Sequence, residues 1–126
     1  MEFTLKTTLN VSAERLFKAW LNSASHSKMT GGGAEINAKI GSNFSAWDGY
    51  IEGQNLAIEP FKRIVQSWRT TEFDASDDDS QIEILLEELN GVTELTLIHT
   101  QLPEHGEQYK KGWQEHYFEP MRAFFE

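Results

Sequence analysis

The sequence predicts an α+β domain in which a strongly curved antiparallel sheet wraps its apolar face around a long C-terminal helix. Three observations lead there. A strand-like alternation at the N-terminus gives way at once to two short helical segments. Residues 34–101 then read almost entirely as strands and tight turns, and the last stretch returns to helical spacing with Tyr109, Trp113, His116, Tyr117, Met121 and Phe124. Short turns enforce antiparallel pairing, because a parallel pair needs a crossover of about a dozen residues or more. A one-sided sheet and one aromatic helix then have to cover each other.

Taken in order, Phe3, Leu5, Thr7 and Leu9 alternate with Thr4, Lys6 and Thr8, the period of a half-buried strand. Ser12 caps a helix carrying Leu16, Phe17, Trp20 and Leu21 at helical spacing, with Glu14 in its first turn. A second short helix covers Ser23 to Met29 and stops at Gly31-Gly32-Gly33, which also reads as a flexible hinge. Strands are predicted over Glu35–Lys39, Asn43–Trp47, Tyr50–Glu59, Arg63–Thr70, Gln81–Leu89 and Val92–Gln101. Between them stand Gly41-Ser42, Asp48-Gly49, Pro60-Phe61-Lys62, the Asp74–Ser80 stretch and Asn90-Gly91. Asn90-Gly91 is the clearest hairpin signal, since both residues tolerate the positive φ of a type I′ turn. The first strand is predicted to pair with the last, because its own chain neighbour is helical. After Leu102-Pro103 the final helix runs from near Glu104 to about Phe125. Pro120 cannot donate to the carbonyl of His116, so the helix kinks or loosens there, either opening a mouth to the interior or following the curved sheet.

At 126 residues the chain is read as one domain, residues 1–126. The absence of cysteine excludes disulfides, thiolate metal sites and a cysteine nucleophile, and a reducing cytoplasm is the expected location. The acidic opening Met1-Glu2-Phe3-Thr4-Leu5-Lys6 and the lack of a long apolar run argue against a signal peptide or membrane insertion. With 20 acidic and 11 basic residues the net charge is −9, so a phosphate backbone is repelled and nucleic acid is not an expected partner.

On the last strand Leu95, Leu97 and His99 share a face, and Leu97 and His99 are assigned to the interior. Ile64, Gln66 and Trp68, Phe44, Leu56 and Ile58, and Ile84 with Leu86 are assigned to the same side from other strands. The candidate ligand-binding set is Trp20, Phe44, Ile58, Gln66, Trp68, Leu97, His99, Tyr109, Trp113, Tyr117 and Met121. These residues either line a cavity for a small hydrophobic ligand or fill an ordinary core. His99, Gln66 and Tyr117 need polar partners in either case. His99, His105 and His116 lack the i, i+4 spacing of a helical zinc motif. The acidic cluster at Asp74, Asp77, Asp78 and Asp79 lacks the pattern of a calcium loop and reads as a solvated turn guarding an exposed edge. No nucleophile elbow, phosphate loop or dinucleotide fingerprint is present, so neither a cofactor nor a metal is expected. Acid–base chemistry, if any, would fall to His99, Glu52 or Tyr117.

Several segments carry a family resemblance over nearly the whole chain. They are Val11-Ser12-Ala13-Glu14-Arg15-Leu16-Phe17-Lys18-Ala19-Trp20, Asp48-Gly49 followed by Gly53, Glu59-Pro60 with Ile64-Val65-Gln66-Ser67-Trp68, Thr93-Glu94-Leu95-Thr96-Leu97-Ile98-His99, and Gly112-Trp113-Gln114-Glu115-His116-Tyr117-Phe118. Together they resemble the family named after the activator of heat-shock protein 90 ATPase, within the START-like (SRPBCC) superfamily, and the last segment resembles the C-terminal domain of that co-chaperone. The resemblance implies the helix-grip fold of the birch-pollen allergen. It implies three alternative activities: non-enzymatic binding of a small hydrophobic or amphipathic ligand, interaction with a chaperone partner, or cavity-based cyclase or hydrolase chemistry. In the co-chaperone a preceding domain with a Trp-His-Trp-type motif supplies the main chaperone contact, and this sequence carries no such motif. Gly41-Ser42 in place of the more usual Gly-Gly, and Pro120 in the last helix, are further departures.

Overall fold

The computed structural model describes residues 1–126. The N-terminal alternation forms strand β1 (Phe3–Leu9), which buries Phe3, Thr7 and Leu9 on one face. Helix α1 (Ala13–Trp20) follows. The Ser12 side chain accepts from the Arg15 amide, and the Glu88 carboxylate accepts from the Ala13 amide, so two of the unpaired N–H groups at its start are satisfied. Asn22 caps α2 (Ser23–Thr30) in the same way, and Gly31, at φ 90°, ends it in the left-handed region.

Strands β2 (Asn43–Ala46), β3 (Ile51–Glu59), β4 (Arg63–Thr70), β5 (Ser80–Leu89) and β6 (Val92–Thr100) complete one six-stranded sheet of order β1-β6-β5-β4-β3-β2. Every pairing is antiparallel. As predicted, β1 lies against β6, with Leu5 opposite Leu97 and Phe3 opposite His99.

Two strand expectations are corrected. Glu35–Lys39 forms only a single bridge, Glu35 to Ser45. Its carbonyls serve a side chain instead, with Asn55 Nδ2 donating to Asn37 and Lys39 at 2.8 and 3.0 Å. Leu56 is not internal but 41 % exposed, because β3 bulges between Asn55 and Ala57. Asn55 faces Gln66 and Ile58 faces Ile64, so the inward positions shift from odd to even across the bulge and Leu56 is the extra residue. Nor does the acidic stretch guard an edge. It joins β4 to β5 in the middle of the sheet and is clasped by Arg69, which donates to the Asp74 and Asp77 carbonyls and to Asp79 Oδ1.

The C-terminal segment is helical throughout but not uniform. A 3₁₀ turn (Glu104–Glu107) leads into α3 (Gln108–Trp113), then a π turn (Gln114–Phe118), then α4 (Glu119–Phe124). The wider turn is marked by the Glu119 amide donating to the Gln114 carbonyl, five residues back. It places Pro120 in the first turn of α4, where the missing N–H is tolerated. The loosening expected from Pro120 therefore takes the form of a π turn. The helical segment packs into the sheet through Tyr109, Trp113, Tyr117, Phe118 and Met121, all at most 5 % exposed. Each such side chain contributes about 1.5–3 kcal/mol by leaving water. No helix is long and apolar enough to cross a membrane.

Candidate functional site

Behind the helix, the polar groups of the interior satisfy one another. Trp113 Nε1 donates to His99 Nδ1 at 3.1 Å, so the ring proton of neutral His99 sits on Nε2 and is given to Ser80 Oγ at 2.9 Å; the Ser80 hydroxyl in turn donates to the Trp68 carbonyl at 2.7 Å. His26 has the opposite tautomer. Its Nδ1 lies 2.8 Å from the Trp20 carbonyl and must carry the proton, leaving Nε2 to accept from the Tyr117 hydroxyl at 3.1 Å. Trp20 Nε1 donates to Gln66 Oε1, and Gln66 Nε2 to Asn55 Oδ1. Burial holds His99 neutral, with its pKa lowered to about 3. Burial likewise lowers that of His26, against the raising effect of the Trp20 carbonyl, and raises that of the Tyr117 phenol.

In front of this network lies a partly open cleft of about 460 Å³. One wall is the turn between β2 and β3 with the first residue of β3, contributing Trp47, Tyr50 and Ile51; β4 and the residues after it add Trp68 and Glu72. The other wall is α3 and the π turn, with Gln108, Tyr109, Gly112, Trp113, His116 and Tyr117. Trp47, Asp48 and Gly49 have successive positive φ values of 51°, 57° and 90°, a conformation that is costly for a tryptophan. Trp47 also has a buried indole N–H without a partner. Packing holds it in place: its ring sits edge-on to His116 at 5.7 Å, and a Cβ on Gly32 would come within 2.4 Å of the indole. The expected hinge at Gly31-Gly32-Gly33 is thus, at Gly32, a tight seat for Trp47.

The rim is polar. The Tyr50 hydroxyl and Gln108 Nε2 both donate to Glu72 Oε2. Burial, and then that bond to Glu72, raises the Tyr50 pKa and keeps the phenol a donor. Deeper in, the Tyr109 and Thr70 hydroxyls share a hydrogen bond of 2.5 Å.

Of the candidate set, Trp68, Tyr109, Trp113 and Tyr117 line the cleft. Trp20, Phe44, Gln66, Leu97, His99 and Met121 are buried outside its lining, and Ile58 is only partly buried. Trp68 and Trp113 do not face each other across a space: their ring centroids are 5.9 Å apart, in contact. Gly112 is part of the lining and Pro120 is not. Glu52 is exposed on β3 and lines a separate polar groove with Arg69 and Asp79, so it forms no acid–base pair with His99. His99 and Tyr117 have their polar atoms engaged by protein partners. Away from the cleft, Asp74, Asp77 and His105 bring single ligand atoms within 4.8 Å of one another, with His105 Nε2 3.1 Å from Asp77 Oδ2. The bond from His105 and the Asp74 amide lower the Asp77 pKa. Sequence reasoning missed Trp47, Tyr50, Ile51, Glu72, Gln108, Gly112 and His116 as cleft residues. Two signals marked their region, an aromatic on each side of the Asp48-Gly49 turn and the Gly112-Trp113 to His116 segment of the last helix.

Comparison with known proteins agrees with this architecture. The human activator of 90 kDa heat shock protein ATPase homolog 1 is 29 % identical over 125 residues, covering 98 % of this chain but 37 % of that protein. The chain thus spans just over a third of the relative's length. A crystal structure of an HSP90 activator from Plasmodium falciparum superimposes with a TM-score of 0.89 at 24 % identity, over 98 % of this chain and 95 % of that one. A protein from Mesorhizobium loti does so with a TM-score of 0.81 at 18 % identity, again over 98 % and 95 %. These two likenesses establish the helix-grip fold. The pattern of the family described as "Activator of Hsp90 ATPase homolog 1-like protein" matches residues 10–126, and the chain belongs to that family.

Proposed function

We propose that this chain is a non-enzymatic binding protein whose cleft between the Trp47–Ile51 turn and α3 takes a small hydrophobic or amphipathic molecule. The observation that carries the reading is Gly112. A glycine inside a helix costs about 1 kcal/mol relative to alanine. Yet Gly112 lines the cleft, and beyond its chain neighbours and its own helix backbone no atom lies within 4 Å of the position a Cβ would occupy. No close packing accounts for it; what it does is leave the space open. The volume of about 460 Å³ suits a small ligand, and the lining is mainly aromatic.

The test is binding of the neutral dye Nile red, read by its fluorescence, to the wild type and to Gly112→Phe. The added ring enters open space, so the variant is expected to stay folded and to lose most of the dye signal. Equal dye binding by the two folded proteins would place the dye elsewhere and remove the proposal's support.

A second reading, association with a chaperone of the heat-shock protein 90 class, is favoured by the alignment of 98 % of this chain with the human activator. It uses the protein's surface and does not compete with the first. A cytoplasmic location accompanies it as part of the same proposal.

A further inference from the structure

We infer that the cleft selects organic cations, an ammonium group carried on an apolar or aromatic body, over neutral and anionic molecules of the same shape. The inference rests on the cleft being a ligand site and concerns which ligands it takes. Two observations carry it.

The lining includes six aromatic rings, those of Trp47, Tyr50, Trp68, Tyr109, Trp113 and Tyr117, and no lysine or arginine. The negative face of an aromatic ring attracts a cation, by about 0.5–2 kcal/mol according to how far the pair is desolvated. A cluster of such rings, with His116 the one basic side chain of the lining and no lysine or arginine to occupy the ring faces, leaves that attraction available to a ligand.

The second is Glu72. It is the single acidic residue of the lining, and none of the protein's ion pairs includes it. Tyr50 and Gln108 both donate to Oε2, and no protein group donates to Oε1. The carboxylate is thereby oriented at the rim with one acceptor oxygen uncommitted. An ammonium there has an anionic partner and an apolar floor for its body, whereas a carboxylate or sulfate is repelled by Glu72 and by the net charge of −9.

The experiment measures dissociation constants of octylammonium, 1-octanol and octanoate, all below their aggregation concentrations, by tryptophan fluorescence and calorimetry. The wild type, Glu72→Gln and Gly112→Phe are compared at low and high salt. The cation is expected to bind roughly three- to tenfold more tightly than 1-octanol, with octanoate weakest. Glu72→Gln, which keeps an acceptor for Tyr50, should remove most of that preference while leaving 1-octanol unchanged. Since the variant alters only one charge of the whole field, that loss would assign the preference to the rim carboxylate. If 1-octanol and Nile red bind but the cation shows no advantage, the selectivity is refuted and the cleft remains a ligand site; if Glu72→Gln keeps the advantage, the part assigned to the rim carboxylate is refuted and the rings alone account for the preference. If no probe binds the wild type, or Gly112→Phe binds them all equally, the cleft reading and this inference both fall.

Discussion

At the scale of single residues, the interior of this protein is decided by two neutral histidines of opposite tautomer. His99 accepts a hydrogen bond from the Trp113 indole at Nδ1, while His26 must donate one to the Trp20 carbonyl from Nδ1. Protonating either ring adds a second N–H where a donor already points, and places a charge in an apolar surround. Nitrogen-15 NMR at neutral pH is therefore expected to report an Nε2–H tautomer for His99 and an Nδ1–H tautomer for His26, with neither ring titrating near 6.5. A shared tautomer, or ordinary titration, would contradict the network. The consequence for stability follows from linkage. His99 has a folded pKa of about 3 against the ordinary imidazole value of 6.5, so between those values the unfolded chain binds the extra proton. Its contribution is fully present above about pH 6.5 and is lost as pH falls toward 3, and His26 acts in the same direction. The urea midpoint should accordingly decline from pH 7 to pH 4.5, in step with the appearance of unfolded-state imidazolium.

At the scale of elements, what governs legibility is whether the cause is local. Ser12 at the start of α1 and Gly31 at the end of α2 act within one turn of chain, and both were readable as caps. Asn90-Gly91, with φ values of 53° and 80°, forms the hairpin its dipeptide announces. Pro120 announced a disturbance, though not that a π turn would absorb it. The bulge at Leu56 had no such signal. It is held by residues 37–42 folding onto Asn55, whose amide donates to the Ser42 carbonyl and whose carbonyl accepts from Gly41, and alternation inside β3 cannot reveal a partner outside it. The same long-range cause withdraws Glu35–Lys39 from the sheet. The cleft was illegible for a related reason: it depends on the left-handed run at Trp47 and Asp48 and on the seat that Gly32 provides. The bulge yields a direct check. Leu56→Lys should change stability by no more than about 0.5 kcal/mol, as exposed substitutions do. In an unbulged register that kept Ile58 inward, Leu56 would face the core as well, and an unpaired charge there would cost several kcal/mol. Urea denaturation of that one variant separates the two registers.

At the scale of the molecule, a helix-grip domain offers a partner two distinct things, a cleft and an outer surface, and family membership alone does not choose between them. The surface reading makes a quantitative expectation. This chain corresponds to 37 % of the length of the human activator, so in that relative a domain of this kind acts while joined to further sequence. Joining two modest contacts raises the local concentration of the second to the millimolar range, and overall affinity can rise by about 10²–10⁴-fold with no new contact made. A domain that relies on such tethering shows, when supplied free at micromolar concentration, only its own weak affinity. The 126-residue chain is therefore expected to stimulate the ATPase of heat-shock protein 90 by less than about twofold at low-micromolar concentration. Stimulation should rise when the same chain is fused through a flexible linker to an independent chaperone-binding module. Several-fold stimulation by the free chain would show that its surface suffices alone. No gain on fusion would show that chaperone contact is not a property of this domain, and would leave the cleft as the site on which its function rests.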